Sequence, residues 1–188
     1  MYGEILKLFR FNNIINFLVK TRVPAGWIFF ILVVALGRIQ NLWGILIILI
    51  GEIFRTTAAG TITKNEKLTT TGIYKFVRHP LYLGSFCIAL GLSFICKNLF
   101  IWLYFLICFP LTYAAAIIYE EKWLETNFGD YFLHYKKTVP AFIPFRIRKT
   151  AEKGNFSWTI VFKNKEHHNW LILVIVILLL LLKTYYQF

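Results

Sequence analysis

The chain is organised by five apolar runs separated by polar segments. Four of the runs form two pairs, and the breaks within the pairs are residues 38–41 and residues 97–98. A membrane-spanning helix needs about 20 apolar residues, or about 17 at the short end, so each pair predicts an antiparallel helical hairpin and the last run is short for a span. The runs are Val23–Gly37, Leu42–Ala59, Leu81–Cys96, Leu99–Tyr119 and Trp170–Leu182.

This pattern predicts an all-α fold: a multi-pass membrane helical bundle of about five transmembrane helices in tight hairpins, with a cytoplasmic cofactor pocket. Residues 1–188 are expected to form a single membrane domain. Its predicted parts are a first hairpin (23–59), a cytoplasmic loop (60–80), a second hairpin (81–119), a cytoplasmic amphipathic region (120–169) and a terminal apolar helix (170–182).

The composition agrees with a membrane protein. Hydrophobic residues make up 58% of the chain and charged residues 16%, whereas soluble domains average about 45–50% and about 25%. The shortage of charge also excludes a disordered chain. The three cysteines lie in apolar runs without a CxxC pair, which favours reduced, buried side chains over a disulfide framework or a zinc site.

The distribution of basic residues predicts the orientation. The formal net charge is +12, and seventeen of the 21 Lys and Arg residues lie in segments that share one side if the N-terminus is cytoplasmic. Cytoplasmic loops of membrane proteins carry such an excess. We therefore expect the N-terminus and both long loops, residues 60–80 and 120–169, to be cytoplasmic. A basic membrane protein is expected to contact anionic lipid and not nucleic acid.

The first candidate site is the segment GIYKFVRHPLYLG, residues 72–84. Proline suits the first turn of a helix, so a helix is expected to begin at Pro80. The residue before a proline is held in extended geometry, which directs His79 off the helix end. Arg78 and His79 would then lie beside a helix N-terminus, which attracts anions. The alternative is that these residues only anchor the boundary to lipid headgroups.

The second candidate site is the pair Glu120 and Glu121, directly after the fourth run. Two carboxylates at this position repel each other and require a nearby cation or water. Because the second hairpin turns at Lys97 and Asn98, its arms differ in depth by only about 6 Å at 1.5 Å per residue. His79 and Glu120 are therefore expected to meet at one mouth, and cations facing carboxylates suit a zwitterion such as an amino-acid moiety.

Two further features carry polar groups. Glu52 and Arg55 lie three residues apart within the second run, where ionisable groups suggest function; the alternative is a self-neutralising pair on one helix face. A stripe at Leu124, Phe128, Tyr131 and Tyr135 predicts an amphipathic helix. It either packs on the bundle or places the two tyrosines along an adenine slot. The histidines show no metal-ligand spacing, so no metal site is predicted.

At these residues the sequence resembles a known family. GEIFRTTAAGTITKNEKLTTTGIYKFVRHPLYLGS, followed by YEEKWLETNFGDYFLHYKKTVPAFIP, is similar to the isoprenylcysteine carboxyl methyltransferase and phospholipid methyltransferase group of integral membrane enzymes. The resemblance covers residues 51–144, and RHPLY followed by EExxL is fairly specific in this order. The residues after Pro144 have no counterpart that the resemblance identifies.

The resemblance implies S-adenosylmethionine as methyl donor, bound at the cytoplasmic mouth. Arg78, His79, Pro80 and Tyr82 take the RHPxY positions, and Arg55 takes the upstream arginine position. The predicted catalytic residues are Arg55 and Glu121. The predicted cofactor-binding residues are Tyr74, Arg78, His79, Pro80, Tyr82, Glu120, Glu121, Tyr131 and Tyr135.

The expected function is methyl transfer to a lipophilic or prenylated acceptor, with a carboxylate of isoprenylcysteine type favoured because it needs no general base. Three alternatives stay open. The first is a phospholipid amine N-methyltransferase. The second is a membrane sterol or lipid reductase that uses a nicotinamide nucleotide, with phosphate contacts from Arg146, Arg148 and Lys149. The third is a non-catalytic membrane module or small transporter in which Glu52 and Arg55 form a translocation or packing pair.

Overall fold

The fold is a bundle of long helices. The structure is a computed structural model and describes residues 13–62, 68–143 and 154–186. The described residues contain helices and turns but no strand, which confirms the predicted all-α class. The helices are α1 (Asn13–Leu36), α2 (Trp43–Thr61), α3 (Pro80–Cys96), α4 (Leu99–Thr138), α5 (Trp158–Lys163) and α6 (Glu166–Tyr186), with a short 3₁₀ turn at Gly72–Lys75.

Four of these helices, α1, α2, α4 and α6, are long and apolar enough to cross a membrane, and α3 is a shorter apolar helix. The last apolar run lies within a helix of 21 residues. The polar and aromatic residues on either side of the run therefore extend it to spanning length. The region after the fourth run is helical, as the amphipathic stripe predicts. It continues α4 as far as Thr138, with a break in helical geometry at Gly129 that separates Phe128 from Tyr131 and Tyr135.

Small residues set the distance between α2 and α3. Gly44 lies against the carbonyl oxygen of Gly91, and Gly51 lies against that of Gly84. A Cβ built on Gly91 would stand 2.6 Å from Gly44 O, and one on Gly84 would stand 2.6 Å from Gly51 O. Both spacings are seven residues, two helical turns, so the four glycines form one seam along which the two backbones touch.

The turn between α3 and α4 is tight. Lys97 ends α3 with a left-handed backbone (φ 46°), and the Asn98 side chain accepts hydrogen bonds from Phe100 N (2.9 Å) and Ile101 N (3.4 Å). These contacts satisfy amides at the start of α4 that have no helical partner. Further along, Gly129 (φ 50°, ψ −130°) interrupts α4 and redirects its last turns toward the start of α3.

The C-terminal helices dock on α2. Ser157 N donates to Gly60 O (3.0 Å), and the Asn164 side chain donates to Ala59 O (2.8 Å). Leu173 and Leu180 of α6 join the main hydrophobic core. These contacts hold α5 and the start of α6 beside the end of α2. The start of α3 packs against the same end of α2.

Candidate functional site

The first part of the site forms where α3 begins. His79 precedes the helix with a non-helical backbone (φ −121°, ψ 60°) and Pro80 occupies the first turn, as the position of the proline predicts. The amides of Arg78 and His79 donate to Pro140 O (2.9 Å) and Ala141 O (3.2 Å). The chain beyond α4 therefore returns to this point and fixes the backbone that carries the Arg78 and His79 side chains.

Glu121 of α4 is the centre of an ionic cluster. Its Oε1 atom lies 2.8 Å from Arg78 Nη2 and 3.2 Å from His79 Nε2, and its Oε2 atom lies 3.0 Å from Lys136 Nζ. Burial by itself would raise the pKa of Glu121, but hydrogen bonds from His79 and Lys136 and the charge of Arg78 lower that pKa to about 2. The carboxylate is thus ionised and saturated by its own neighbours.

Glu120 has a different environment from Glu121. Its side chain is 40% exposed, and its Oε2 atom lies 3.8 Å from His79 Nδ1. The same oxygen accepts a hydrogen bond from the Tyr82 hydroxyl at 2.6 Å, and Arg22 donates to that hydroxyl at 2.6 Å. Of the two adjacent acids, Glu120 is the one that a solute can reach. We call Arg78, His79, Glu120, Glu121 and Lys136 the hairpin cluster.

The predicted tyrosines divide into two sets. Tyr135 is buried and donates its hydroxyl to Tyr74 O at 2.6 Å, which places Tyr74 beside the hairpin cluster. The Tyr74 hydroxyl and Arg78 Nε are buried and have no hydrogen-bond partner in the described parts of the chain. Tyr131 is 58% exposed, so the structure does not bring it to Tyr135 as the walls of one slot.

A cavity of about 400 Å³ lies between the helices. Aromatic and aliphatic side chains form most of its wall, with contributions from α1, α2, α3, α4 and α6. This size falls within the usual range of small-molecule pockets, about 300–1,000 Å³. Its mainly apolar walls include Phe29, Phe30, Ile88, Phe105 and Leu173. The cavity is therefore suited to an apolar chain within the bundle.

One part of the cavity wall is polar and centred on Arg55. Arg55 Nε and Nη2 donate to the two oxygens of Glu166 at 2.7 and 3.1 Å, and Nη1 donates to Ser85 Oγ at 2.5 Å. Asn169 also donates to Glu166, at 3.0 Å. We call Glu52, Arg55, Ser85, Glu166 and Asn169 the Arg55 patch; all five line the cavity.

The partner of Arg55 corrects the sequence interpretation. The self-neutralising alternative paired Arg55 with Glu52, but its ionic partner is Glu166, 111 residues away. Both carboxylate oxygens of Glu52 are buried, and neither is paired in a hydrogen bond of ordinary geometry within the described residues. The nearby Trp170 indole donates instead to Thr56 Oγ1 at 3.3 Å. Sequence analysis missed Glu166 because no local pattern links it to Arg55.

Tyr82 connects the two parts of the site. Its hydroxyl donates to Glu120 of the hairpin cluster, and its ring stacks on His79 of the same cluster with centroids 5.5 Å apart. Tyr82 also lines the cavity, as does Ser85 on the next turn of α3. His79, Tyr82 and Ser85 follow each other at three-residue spacing, so about 9 Å of one helix face joins the cluster to the Arg55 patch.

A known family model covers the part of the chain that carries most of this site. The model of the phospholipid methyltransferase family matches residues 27–131, more than half of the chain. The chain belongs to the phospholipid methyltransferase family. The matched region includes Arg55, the RHPLY segment and both adjacent glutamates, whereas Glu166 lies outside it.

Curated relatives carry two kinds of name. The chain is 37% identical to a protein-S-isoprenylcysteine O-methyltransferase of Schizosaccharomyces pombe, over 50% of this chain and 40% of the relative. It is 30% identical to protein-S-isoprenylcysteine O-methyltransferase B of Arabidopsis thaliana, over 58% and 64%. It is also 34% identical to a cobalt-zinc-cadmium resistance protein of Cupriavidus metallidurans, over 52% and 43%. No solved structure matches the chain.

The matches with these relatives span less than two thirds of their lengths, between 40% and 64% in the three cases.

This member of the phospholipid methyltransferase family is an integral membrane protein with four long apolar helices. Within the described residues, no group of three or more His, Cys, Asp or Glu side chains is placed to hold a metal ion. In the reductase alternative, the nucleotide phosphates were predicted to contact Arg146, Arg148 and Lys149. These three residues lie outside the described residues.

Proposed function

We propose that the protein transfers a methyl group from S-adenosylmethionine to a lipophilic acceptor, and that the acceptor presents a carboxylate of isoprenylcysteine type. The observation that carries the proposal is the position of Tyr82, which contacts the hairpin cluster and also lines the cavity. A polar donor site and an apolar acceptor site thereby adjoin. Family membership and the names of the relatives support methyl transfer.

The hairpin cluster fits the amino-acid part of the donor. That part carries one carboxylate and one ammonium group, and the cluster offers cationic nitrogens and an accessible carboxylate. We propose that His79 and Arg78 hold the donor carboxylate and that Glu120 binds the ammonium. Glu121 was predicted to be catalytic, but Arg78, His79 and Lys136 already occupy its two oxygens; we assign it the task of holding Arg78 and His79 in place.

Unpartnered polar atoms support the same fit. The buried Tyr74 hydroxyl and Arg78 Nε are costly to leave without a hydrogen bond, and a polar ligand at the cluster would supply partners. When bound, S-adenosylmethionine supplies an electrophilic methyl group on a sulfonium centre. The protein contributes positioning, which accounts for much of the acceleration in such displacements.

The cavity and Arg55 serve the acceptor. The apolar walls take the lipid tail and exclude water, and Arg55 pairs with the acceptor carboxylate, since guanidinium groups bind carboxylates with two parallel hydrogen bonds. A carboxylate acceptor needs no general base because its oxygen is already an anion. The substrate therefore needs orientation more than activation.

The test of this proposal measures donor binding and methyl incorporation separately. Purified protein in detergent is titrated with S-adenosylmethionine by calorimetry, with a nicotinamide nucleotide as comparison ligand, and then assayed with labelled donor and N-acetyl-S-farnesylcysteine. We expect Glu120→Gln and His79→Ala to weaken donor binding by about tenfold or more, the equivalent of one charge-assisted contact. Glu125→Gln, an exposed glutamate on the same helix, is the matched control. Normal donor binding by both site variants would disprove the assignment.

A second candidate function, methylation of a lipid amine, is favoured by Glu52. Its buried carboxylate lines the cavity without an ordinary hydrogen bond, and an amine must lose a proton before it can accept a methyl group. Methyl incorporation into S-farnesylcysteamine but not into N-acetyl-S-farnesylcysteine, abolished by Glu52→Gln, would select this function. The two probes share one tail, so the comparison isolates the head group.

A further inference from the structure

In the Arg55–Glu166 pair, the Glu166 carboxylate occupies the two Arg55 nitrogens that an acceptor carboxylate would bind. Glu166 is 3% exposed, and its two oxygens meet two nitrogens of one guanidinium at 2.7 and 3.1 Å. The third nitrogen of Arg55 is engaged by Ser85. A carboxylate that reaches Arg55 from the cavity would need the same two nitrogens, so it and Glu166 cannot both be bound in this way.

Exchange of one carboxylate for another is electrostatically balanced. Removing the partner of a buried charge is costly, because the charge that remains is uncompensated. An incoming carboxylate restores the partner as it replaces Glu166, so Arg55 keeps one anion throughout. A neutral or cationic head group has no such means of displacing Glu166.

The position of Glu166 in the fold permits its release. It is the first residue of α6 and follows Lys165, whose backbone is left-handed (φ 60°) at the turn after α5. A carboxylate at the start of a helix is stabilised by the helix dipole even when it faces water. The rest of α6 is held by Leu173, Val176 and Leu180 in the core, and Asn164 holds the preceding turn on α2. The Glu166 side chain can therefore leave Arg55 and loosen its own turn while the helix stays docked.

We propose that Glu166 is a specificity-determining residue that competes with the acceptor carboxylate for Arg55. With Glu166 bound, Arg55 is neutralised; an anionic acceptor binds by displacing Glu166, and the competition weakens its affinity. The residue lies outside the matched family region, which ends at residue 131. The inference rests on the acceptor site of the proposed function.

The direct test measures binding of the two farnesyl probes to the full chain in detergent, without methyl donor. Glu166→Gln removes the competing charge while keeping a side chain of the same size. We expect the dissociation constant of N-acetyl-S-farnesylcysteine to fall by about tenfold, since release of a charge-assisted pair is worth at least that much, and that of S-farnesylcysteamine not to fall. Glu166→Asp keeps the charge and is expected to stay closer to the wild type, and Glu125→Gln is expected to match it.

A second measurement uses the unaltered protein, so that it does not depend on the folding of a variant. Saturation with the carboxylate probe is expected to increase amide hydrogen exchange at residues 163–169, and the amine probe is expected not to. Unchanged carboxylate affinity in a folded Glu166→Gln protein, or unchanged exchange if that variant does not fold, would overturn the proposal. Absence of carboxylate binding to every protein would also overturn it. The donor titration and the methyl assay report separately on the proposed function.

Discussion

At the scale of single residues, the two adjacent glutamates differ in what they can do. Glu121 is enclosed by Arg78, His79 and Lys136, whereas Glu120 is 40% exposed and bound by Tyr82. Identical side chains in consecutive positions thus have different tasks, because a helix rotates by about 100° per residue and directs them to different neighbours.

The depressed pKa of Glu121 predicts a pH dependence of stability. Its pKa is lowered from 4.5 to about 2 in the folded protein, so its stabilising contribution is fully present above the unfolded value and is lost as the pH falls from 4.5 toward 2. We expect Glu121→Gln to be less stable than the wild type at pH 7, by about 3 kcal/mol as an order of magnitude.

Thermal unfolding in detergent, followed by tryptophan fluorescence at pH 7, 5 and 3, checks this prediction. The difference in unfolding temperature between wild type and Glu121→Gln should be the same at pH 7 and 5 and should become smaller at pH 3. A gap that stays constant down to pH 3 would show that the ionic contacts of Glu121 contribute nothing to stability.

Tyr82 gives a second prediction at this scale. Tyr82→Phe keeps the ring that stacks on His79 and removes the hydroxyl that joins Arg22 to Glu120. We expect a loss of donor affinity of about five- to tenfold, because a hydrogen bond to a charged group is typically worth about 1.5–3 kcal/mol and part is recovered by water. Tyr185→Phe, at an 80% exposed position, is the control for calorimetric titration; equal affinities in both variants would contradict the assigned role.

At the scale of elements, the glycine seam between α2 and α3 controls the geometry of the site. Gly84 on the seam lies against Arg55: a Cβ built at Gly84 would contact Arg55 Cγ and would stand 3.0 Å from Arg55 N. The close approach of the two backbones is what brings Arg55 within reach of Ser85. Larger residues in the seam would separate the helices and move both groups.

Gly91→Ala tests the seam away from the site. The added methyl would stand 2.6 Å from Gly44 O and 3.0 Å from Ile48 N, and backbone atoms cannot yield as a flexible side chain can. We expect a destabilisation of about 1–3 kcal/mol, measured as a lower unfolding temperature in detergent. At Gly26, where nothing lies within 4 Å of the added Cβ, alanine should be neutral or slightly stabilising. Equal stability of the two variants would argue against close packing at the seam.

The helices themselves follow from local sequence, although their ends do not always do so. Proline before an apolar run sets the start of α3, and Asn98 caps α4, so the starts of both helices could be predicted. The amphipathic stripe predicted a helix after the fourth run, but not that this helix would continue directly from the span as far as Thr138, because polar residues after a span are compatible with either a break or an exposed extension. Packing among Phe132, Tyr135 and Val139 stabilises the last part of α4 and the residue that follows it.

At the scale of the whole molecule, the orientation in the membrane remains a prediction from charge. We expect the hairpin cluster to face the cytoplasm, because the basic residues concentrate on its side of the spans. Cysteine introduced at exposed Asn127, beyond the α4 span, should react with a membrane-impermeant maleimide only after the cells are opened. Cysteine at exposed Gln40, in the turn between α1 and α2, should react in intact cells. The reverse labelling pattern would overturn the orientation.

The sequence by itself determined the class of the protein, the approximate spans and the meeting of Arg78 and His79 with the adjacent glutamates. Those features depend on apolar run length, on proline and on a two-residue turn, which are all local. Only the tertiary structure decided that Arg55 pairs with Glu166 and not with Glu52, and that Tyr131 stays exposed while Tyr135 is buried. The reason is that Arg55 and Glu166, 111 residues apart, meet only because α2 and α6 dock together. Neither hydrophobic periodicity nor spacing along the chain encodes which faces of distant helices pack against each other.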